Sequence, residues 1–206
     1  LGANTTANNN TGVGTSALAA NTTGTENTAV GANSLDANTT ASYNTTVGFN
    51  SLTANTTGQY NTAFGRYALS GNTTADANTA IGSGALAVST TGQRNVAIGY
   101  ASMDAATTGS DSVAVGYESG GAVTTGIENT FLGYYAGAAT TTANYNVAVG
   151  SSALQSNTTG ANNIAIGRTA LYANTTGHEN VAMGVNSMLA NTTGGFNVAL
   201  GYYALA

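Results

Sequence analysis

The chain contains no proline, no cysteine, no tryptophan and no lysine. Without cysteine there is neither a disulfide framework nor a thiolate metal site. Charged residues make up only 5% of the 206 residues, against about a quarter in an ordinary globular domain. Arginine and acidic residues leave a formal net charge of −5, so nucleic acid is not an expected partner. The apolar runs are only a few residues long, and no membrane-spanning segment is expected.

What the sequence has instead is a tandem repeat. Glycine recurs every 17 residues from Gly14 to Gly201 without an insertion or a deletion. If this glycine is numbered position 2, the repeat reads (V/I)-G-x-x-(A/S)-L-x-x-N-T-T-G-x-x-N-(T/V)-A. Charged residues and tyrosines fall only at the variable positions 3, 4, 7, 8, 13 and 14. Such strict phasing argues against a disordered low-complexity chain.

The repeat favours strands and turns over helices. Glycine and β-branched threonine at fixed places would cost a helix up to ~1 kcal/mol per site, whereas Asn-(Thr/Val)-Ala-(Val/Ile)-Gly has the alternation of a strand. The sequence therefore predicts an all-β fold, a parallel β-solenoid (β-roll) of twelve 17-residue coils. With like positions ~4.8 Å apart, the rod would be roughly 55–60 Å long. Residues 1–206 would form a single solenoid, and the start at Leu1 in mid-repeat suggests a segment of a longer fibre protein.

The two faces of the predicted strand differ in size. The large aliphatic side chains of positions 16 and 1 are expected to fill the inside of the coil, and another wall or chain to cover the small residues of positions 17 and 2. Phe131 replaces the usual alanine of position 17 once, and Gly120 and Gly137 replace the usual leucine of position 6 in neighbouring repeats. One large residue thus appears where two large residues vanish, so positions 17 and 6 are predicted to share one packed layer.

The asparagine of position 15 is expected to form a ladder up the rod, with hydrogen bonds from side-chain amide to side-chain amide. The Asn-Thr-Thr corner also matches the N-glycosylation sequon. Candidate glycosylation sites are Asn4, Asn21, Asn38, Asn55, Asn72, Asn157, Asn174 and Asn191. Glycans on coils ~4.8 Å apart would crowd one another, so a corner ladder that happens to fit the sequon is the alternative interpretation.

The middle repeats differ from the rest. Their position-9 residues are Ser89, Ala106, Val123 and Thr140 instead of asparagine. In the same stretch Tyr100, Tyr117 and Tyr134 recur at position 3, with Tyr135 beside the last of them. An exposed tyrosine column is a candidate surface for a glycan or a lateral contact, and the alternative is a ladder that only stabilises the rod.

No catalytic residue, metal site or cofactor is predicted, and the chain is expected not to be an enzyme. His178 is the only histidine, and it lies next to Glu179, where neighbouring strand residues would point to opposite faces. Asp111 and Glu128 share position 14. Two carboxylates ~5 Å apart could hold a cation, but an exposed charged column is the simpler interpretation.

Three segments carry a resemblance to known surface fibres: Asn-Val-Ala-Ile-Gly (95–99), Ser-Val-Ala-Val-Gly (112–116) and Asn-Thr-Phe-Leu-Gly-Tyr-Tyr-Ala-Gly (129–137). They resemble head repeats of trimeric autotransporter adhesins and, with the Asn-Thr-Thr-Gly corner, still more the repeat regions of phage tail-fibre-like proteins. The resemblance implies a left-handed homotrimeric β-roll that is extracellular, on a cell surface or on a virion. The 17-residue coil is longer than the adhesin pattern.

The leading expectation is a non-enzymatic structural shaft of an extracellular or virion fibre, with adhesive contacts as an addition. Its expected partners are itself, as a homotrimer or an end-to-end filament, and a cell-surface glycan. The alternative is a self-polymerising, glycosylated cell-surface filament. A minor alternative is a solenoid that binds ice or polysaccharide, although the paired threonines are sequence neighbours and would face opposite ways in an extended strand.

Overall fold

The computed structural model describes residues 2–206, which form a parallel β-solenoid without any helix. Each repeat contributes one strand of three residues: β1 (Thr11–Val13), β2 (Thr28–Val30), β3 (Thr45–Val47), β4 (Thr62–Phe64), β5 (Thr79–Ile81), β6 (Val96–Ile98), β7 (Val113–Val115), β8 (Thr130–Leu132), β9 (Val147–Val149), β10 (Ile164–Ile166), β11 (Val181–Met183) and β12 (Val198–Leu200). The predicted all-β solenoid is therefore confirmed, while its handedness and trimeric state stay predictions. Each coil is numbered here after the strand with which it begins.

The twelve strands form one sheet in sequence order, and successive strands pair in parallel. The register is strict, since Ala97 pairs with Ala114 and Ile98 with Val115, 17 residues further on. Hydrogen bonds between coils continue through the turns, as where the Gly99 N–H donates to the Ile81 carbonyl at 2.7 Å. Backbone groups are thus paired with the coils above and below, which explains how such short strands form a stable element.

The glycine of position 2 is required by both conformation and space. Gly99 has a φ of +134°, and a β-carbon there would lie 2.3 Å from the carbonyl oxygen of Gly116. No L-residue side chain fits such an approach, so each coil needs glycine at this place. This constraint is the physical origin of the 17-residue glycine period.

The inside of the coil is lined by positions 17 and 6, so the expectation that positions 16 and 1 fill it is wrong. Ala97 and Leu86 are fully buried. By contrast, Ile81 at position 1 is 38% exposed and Phe64 is 55% exposed. A coil of 17 residues has room for few side chains inside, and the buried alanine and leucine layers occupy that space. The larger strand residues are therefore left on the outer face.

Phe131 shows how closely this interior is packed. Its side chain is fully buried. A β-carbon on Gly120 would lie 2.8 Å from Cδ2 of the ring, and one on Gly137 would lie 2.5 Å from Cε1. The phenyl ring occupies the space of two missing side chains, and positions 17 and 6 share one packed layer.

No helix among residues 2–206 could cross a membrane.

Candidate functional site

Asparagine columns hold the coils together from inside. At position 15 the backbone N–H of Asn44 donates to Asn27 Oδ1 at 3.0 Å, and the Asn27 side chain donates to the Ala41 carbonyl at 2.8 Å. At position 9 the Asn38 Nδ2 donates to Asn21 Oδ1 at 2.8 Å. The position-15 column thus links coils mainly through backbone N–H groups, whereas the position-9 column links amide to amide.

Most of the sequon asparagines lie inside the rod. Full burial is shared by Asn21, Asn38, Asn55, Asn72, Asn157 and Asn174. Asn4 is exposed and Asn191 is half-buried. The Asn55 Nδ2, which a glycan would modify, instead donates to Asn38 Oδ1 at 3.0 Å and to the Gly58 carbonyl at 2.9 Å. The folded rod therefore gives no support to glycosylation at the buried sites.

The position-9 column is interrupted in the middle repeats. Asn72 Oδ1 and the hydroxyls of Ser89 and Thr140 are buried without a hydrogen-bond partner. Asn72 is the last asparagine before the interruption, while Ser89 and Thr140 are its first and last residues. A buried polar group without a partner costs about 1–3 kcal/mol. The interruption is therefore a locally unfavourable stretch of the interior.

The outward side chains of positions 16 and 1 on β1–β12 form a surface that we call the strand face. It consists of threonine, valine, isoleucine, leucine, methionine and phenylalanine, and it carries no charge. Away from the ends, Ile81, Ile166 and Met183 are each 38% exposed. Twelve strands at ~4.8 Å spacing make this uncharged strip about 55 Å long. A continuous exposed surface rich in apolar side chains is typical of an interaction site.

The predicted tyrosine column exists and lies on the outside of coils 6–8. The Tyr100 and Tyr117 rings stack with centroids 5.2 Å apart, and those of Tyr117 and Tyr134 are 5.5 Å apart. Tyr135 meets Tyr134 edge to face at 4.4 Å. We call these four residues the tyrosine ladder. Tyr117 has a stacked ring on each side, as in a ladder that stabilises the rod.

The Glu118 carboxylate contributes to raised pKa values in and beside the tyrosine ladder. Its carboxylate accepts the Tyr117 hydroxyl, and this hydrogen bond together with desolvation raises the pKa of Tyr117 to about 12. Desolvation and the Glu118 charge also raise the pKa of Tyr135. Partial burial, aided by the same charge, raises the pKa of Asp104.

A cleft opens beside the tyrosine ladder where coil 5 carries the small residues Ser83 and Gly84 at positions 3 and 4. Coil 4 supplies Arg66 and Tyr67 to one side of it, and coil 6 supplies Tyr100, Ala101 and Asp104 to the other. The cleft is open to solvent and has a volume of about 330 Å³. A second hollow of about 500 Å³ shares Tyr100, Ala101 and Asp104 with it and continues past Glu118 to Ala138.

The remaining charged candidates are exposed. Arg94 forms a bidentate pair with Asp111 across two coils, at 2.6 and 2.8 Å. This hydrogen bond lowers the pKa of the Asp111 carboxyl. Asp111 thus pairs with Arg94. Both residues occupy position 14 in successive repeats, and this spacing indicates an ion pair in the sequence. A search for paired acidic residues does not find it, because one partner is an arginine.

His178 is exposed, as is Glu179, and its ring meets Phe196 edge to face at 5.1 Å. Among residues 2–206 no group of three or more histidine, cysteine or acidic side chains could hold a metal ion.

The threonine pair of the corner is divided between two roles. The Thr90 hydroxyl, at position 10, donates to the Thr107 carbonyl of the next coil at 3.1 Å. Thr91 and Thr108, at position 11, are exposed. Only the position-11 column thus points freely to solvent.

Comparison of the chain with protein-family models, with curated proteins and with solved structures finds no match. The resemblance to adhesin heads and tail fibres therefore depends on the repeat motifs alone. The fold and surfaces identify the chain as a tandem-repeat β-solenoid with an uncovered apolar strand face.

Proposed function

We propose that the chain is a non-enzymatic structural shaft of an extracellular or virion fibre, in which identical chains run parallel and pack through their strand faces as a homotrimer. The observation that carries this proposal is the uncharged strand face, continuous over all twelve strands. Burying it would contribute about 25 cal/mol per Å² of apolar surface, so small gains per coil add up along the rod.

The occupant of the strand face is a second copy of this chain. Side chains recur on the face once per coil, at ~4.8 Å, and a complementary partner must repeat at the same interval over the same length. A second copy supplies both, and the closed threefold symmetry of a trimer makes the copies run parallel. Because the strand face carries no charge, the strand faces of two identical chains can pack together without electrostatic repulsion. The number of three chains comes from the fibres that the repeats resemble.

A pair of charged substitutions tests this assembly. Ile98→Lys with Val115→Lys places two charges on the strand face, and Thr91→Lys with Thr108→Lys places two on exposed position 11 as the matched control. Sedimentation equilibrium is expected to give the wild type and the control three times the 20.2 kDa chain mass. The strand-face variant should dissociate to monomers with an unchanged β circular dichroism spectrum.

Two results would contradict the proposal: a wild-type chain that stays monomeric at high concentration, or a strand-face variant that assembles as the wild type does. A mass that grows without limit with concentration would favour the polymerising filament instead of the closed trimer.

A further inference from the structure

The ring of Tyr100, at one end of the tyrosine ladder, has a face that no other ring covers. Both faces of Tyr117 are covered, by Tyr100 at 5.2 Å and by Tyr134 at 5.5 Å. Tyr100 uses only one face in this stack, and the coil on its other side carries Ser83 at the same position. The open face of Tyr100 therefore forms a wall of the cleft described above, and the Tyr100 side chain is 55% exposed.

The spacing of the coils gives the cleft room for one ring. A β-carbon on Gly84 would meet no atom within 4 Å, so the space above coil 5 is open. Coils 4 and 6 are separated by two steps of the solenoid, about 9.6 Å. A ring in van der Waals contact with both walls needs about 7–8 Å. The volume of about 330 Å³ is also within the range of small-molecule sites.

The rim of the cleft is polar on both sides. Coil 4 provides the Arg66 guanidinium, which lies 4.5 Å from the centre of the Tyr67 ring. Coil 6 provides Asp104, and hydroxyls come from Ser70 and Ser83. An aromatic wall with donors and acceptors at its edge matches a sugar ring, which has an apolar C–H face and hydroxyls around it. The positive charge of Arg66 would repel a simple cation, and the negative charge of Asp104 would repel a simple anion.

The geometry points to a carbohydrate site: we propose that this cleft holds one pyranose ring against Tyr100, with its hydroxyls bonded to Arg66 and Asp104. The adjoining hollow past Glu118 and Gly121 gives the next sugar units a path along the rod. The site uses repeat positions 3, 4, 7 and 8. It therefore lies off the strand face and does not depend on assembly of the shaft.

The test fills the cleft without disturbing the fold. Ser83→Tyr extends the tyrosine ladder by one ring into the cleft, in a position where the rod already accepts tyrosine three times in succession. Ser151→Tyr is the matched control, because it extends the same ladder at its other end. The 206-residue chain is applied to an array of immobilised neutral, amino and acidic oligosaccharides, and the best probe is then titrated by calorimetry.

We expect the wild type to bind at least one oligosaccharide, and Ser83→Tyr to bind it at least about tenfold more weakly. Ser151→Tyr should stay within about twofold of the wild type. Asp104→Asn keeps the shape of the cleft and should weaken binding about fivefold, since it removes a charged acceptor. It provides the test if Ser83→Tyr fails to fold by circular dichroism.

Absence of binding to every oligosaccharide at millimolar concentration would overturn the proposal. So would a folded Ser83→Tyr variant with wild-type affinity, or equal losses in Ser83→Tyr and Ser151→Tyr. Failure here leaves the assembly measured by sedimentation unaffected, so the two proposals are separable.

Discussion

The outer coils and the middle coils share one backbone but are stabilised differently inside. Between Asn21 and Asn72, and again between Asn157 and Asn191, side-chain amides bond from coil to coil at position 9. From Ser89 to Thr140 this column is lost. The strand register nevertheless continues unchanged, as in the pairing of Ala114 with Phe131.

Some residues are kept in every coil because the backbone requires them, whereas others only add stability. The glycine of position 2 and the hydroxyl of position 10 persist through the middle coils, where Thr124 Oγ1 donates to the Thr141 carbonyl at 3.2 Å. The position-9 amide does not persist, and its place is taken by buried apolar groups such as Val123. The backbone geometry is therefore the same in every coil, whereas the side chains that fill the interior differ between coils.

The largest expected effect is on the packing that is peculiar to the middle coils. Phe131→Ala should lower the free energy of unfolding by about 3–5 kcal/mol, because a ring-sized cavity remains between two glycines. Adding Gly120→Leu and Gly137→Leu restores the consensus and should recover most of this loss. Leucine elsewhere adopts the same positive φ (Leu86, 50°), so the backbone already suits it. Denaturant unfolding of the single and triple variants measures the recovery, and a triple variant no more stable than Phe131→Ala would refute shared packing.

The next effect concerns the outer coils. Asn55→Val removes a donor to Asn38 Oδ1 and to the Gly58 carbonyl, and it removes the acceptor for Asn72 Nδ2. Each buried group left unpaired costs about 1 kcal/mol or more, so a loss of about 2–4 kcal/mol is expected. Thr57→Val, on the exposed corner of the same coil, serves as the control and should change stability by less than about 0.5 kcal/mol. Equal effects of the two substitutions in thermal unfolding would show that the ladder contributes nothing.

A smaller gain should follow from extending the ladder into the middle coils. Ser89→Asn gives the orphaned Asn72 Oδ1 a donor, and we expect stabilisation of about 1 kcal/mol. Ser89→Ala only removes an unpaired hydroxyl, so it should stabilise less. Amide hydrogen exchange in coils 4–6 would register the difference, and protection that is higher in Ser89→Ala than in Ser89→Asn would contradict the assignment.

The smallest effect is on the pH dependence of the tyrosine ladder. The pKa of Tyr117 is raised to about 12 in the folded rod, from an ordinary value of 10.0. The contribution of this group to stability is therefore complete below pH 10.0 and is lost as the pH rises toward about 12. Glu118→Gln should bring the pKa back toward its ordinary value. An NMR titration of the tyrosine ring carbons would measure it, and an unchanged Tyr117 pKa in Glu118→Gln would exclude Glu118 as the cause.

Much of the rod could be predicted because its constraints recur in every repeat. The glycine period marks a close backbone approach, and Phe131 with Gly120 and Gly137 exposes a packed layer through an exception to the pattern. The direction of the strand face could not be predicted in the same way. Alternation shows that two faces differ but does not show which one is inside, and only the narrowness of the coil decides that alanine faces inward.

Composition could not predict the cleft, because the cleft exists only where one coil lacks large side chains at positions 3 and 4. Ser83 and Gly84 are unremarkable by themselves, and their meaning depends on Arg66 and Tyr67 one repeat before and Tyr100 one repeat after. A column-by-column comparison of side-chain size along positions 3 and 4 contains this signal. The exact shape of the walls, however, depends on side-chain packing between coils.

The most direct test of the account is an electron-microscopy reconstruction of the assembled rod in cross-section. We predict three coils around one axis, each turning the side chains of its strand face, such as Ile98 and Val115, toward that axis and its tyrosine ladder outward. A single isolated coil, or an assembly with the strand face turned to solvent, would contradict it.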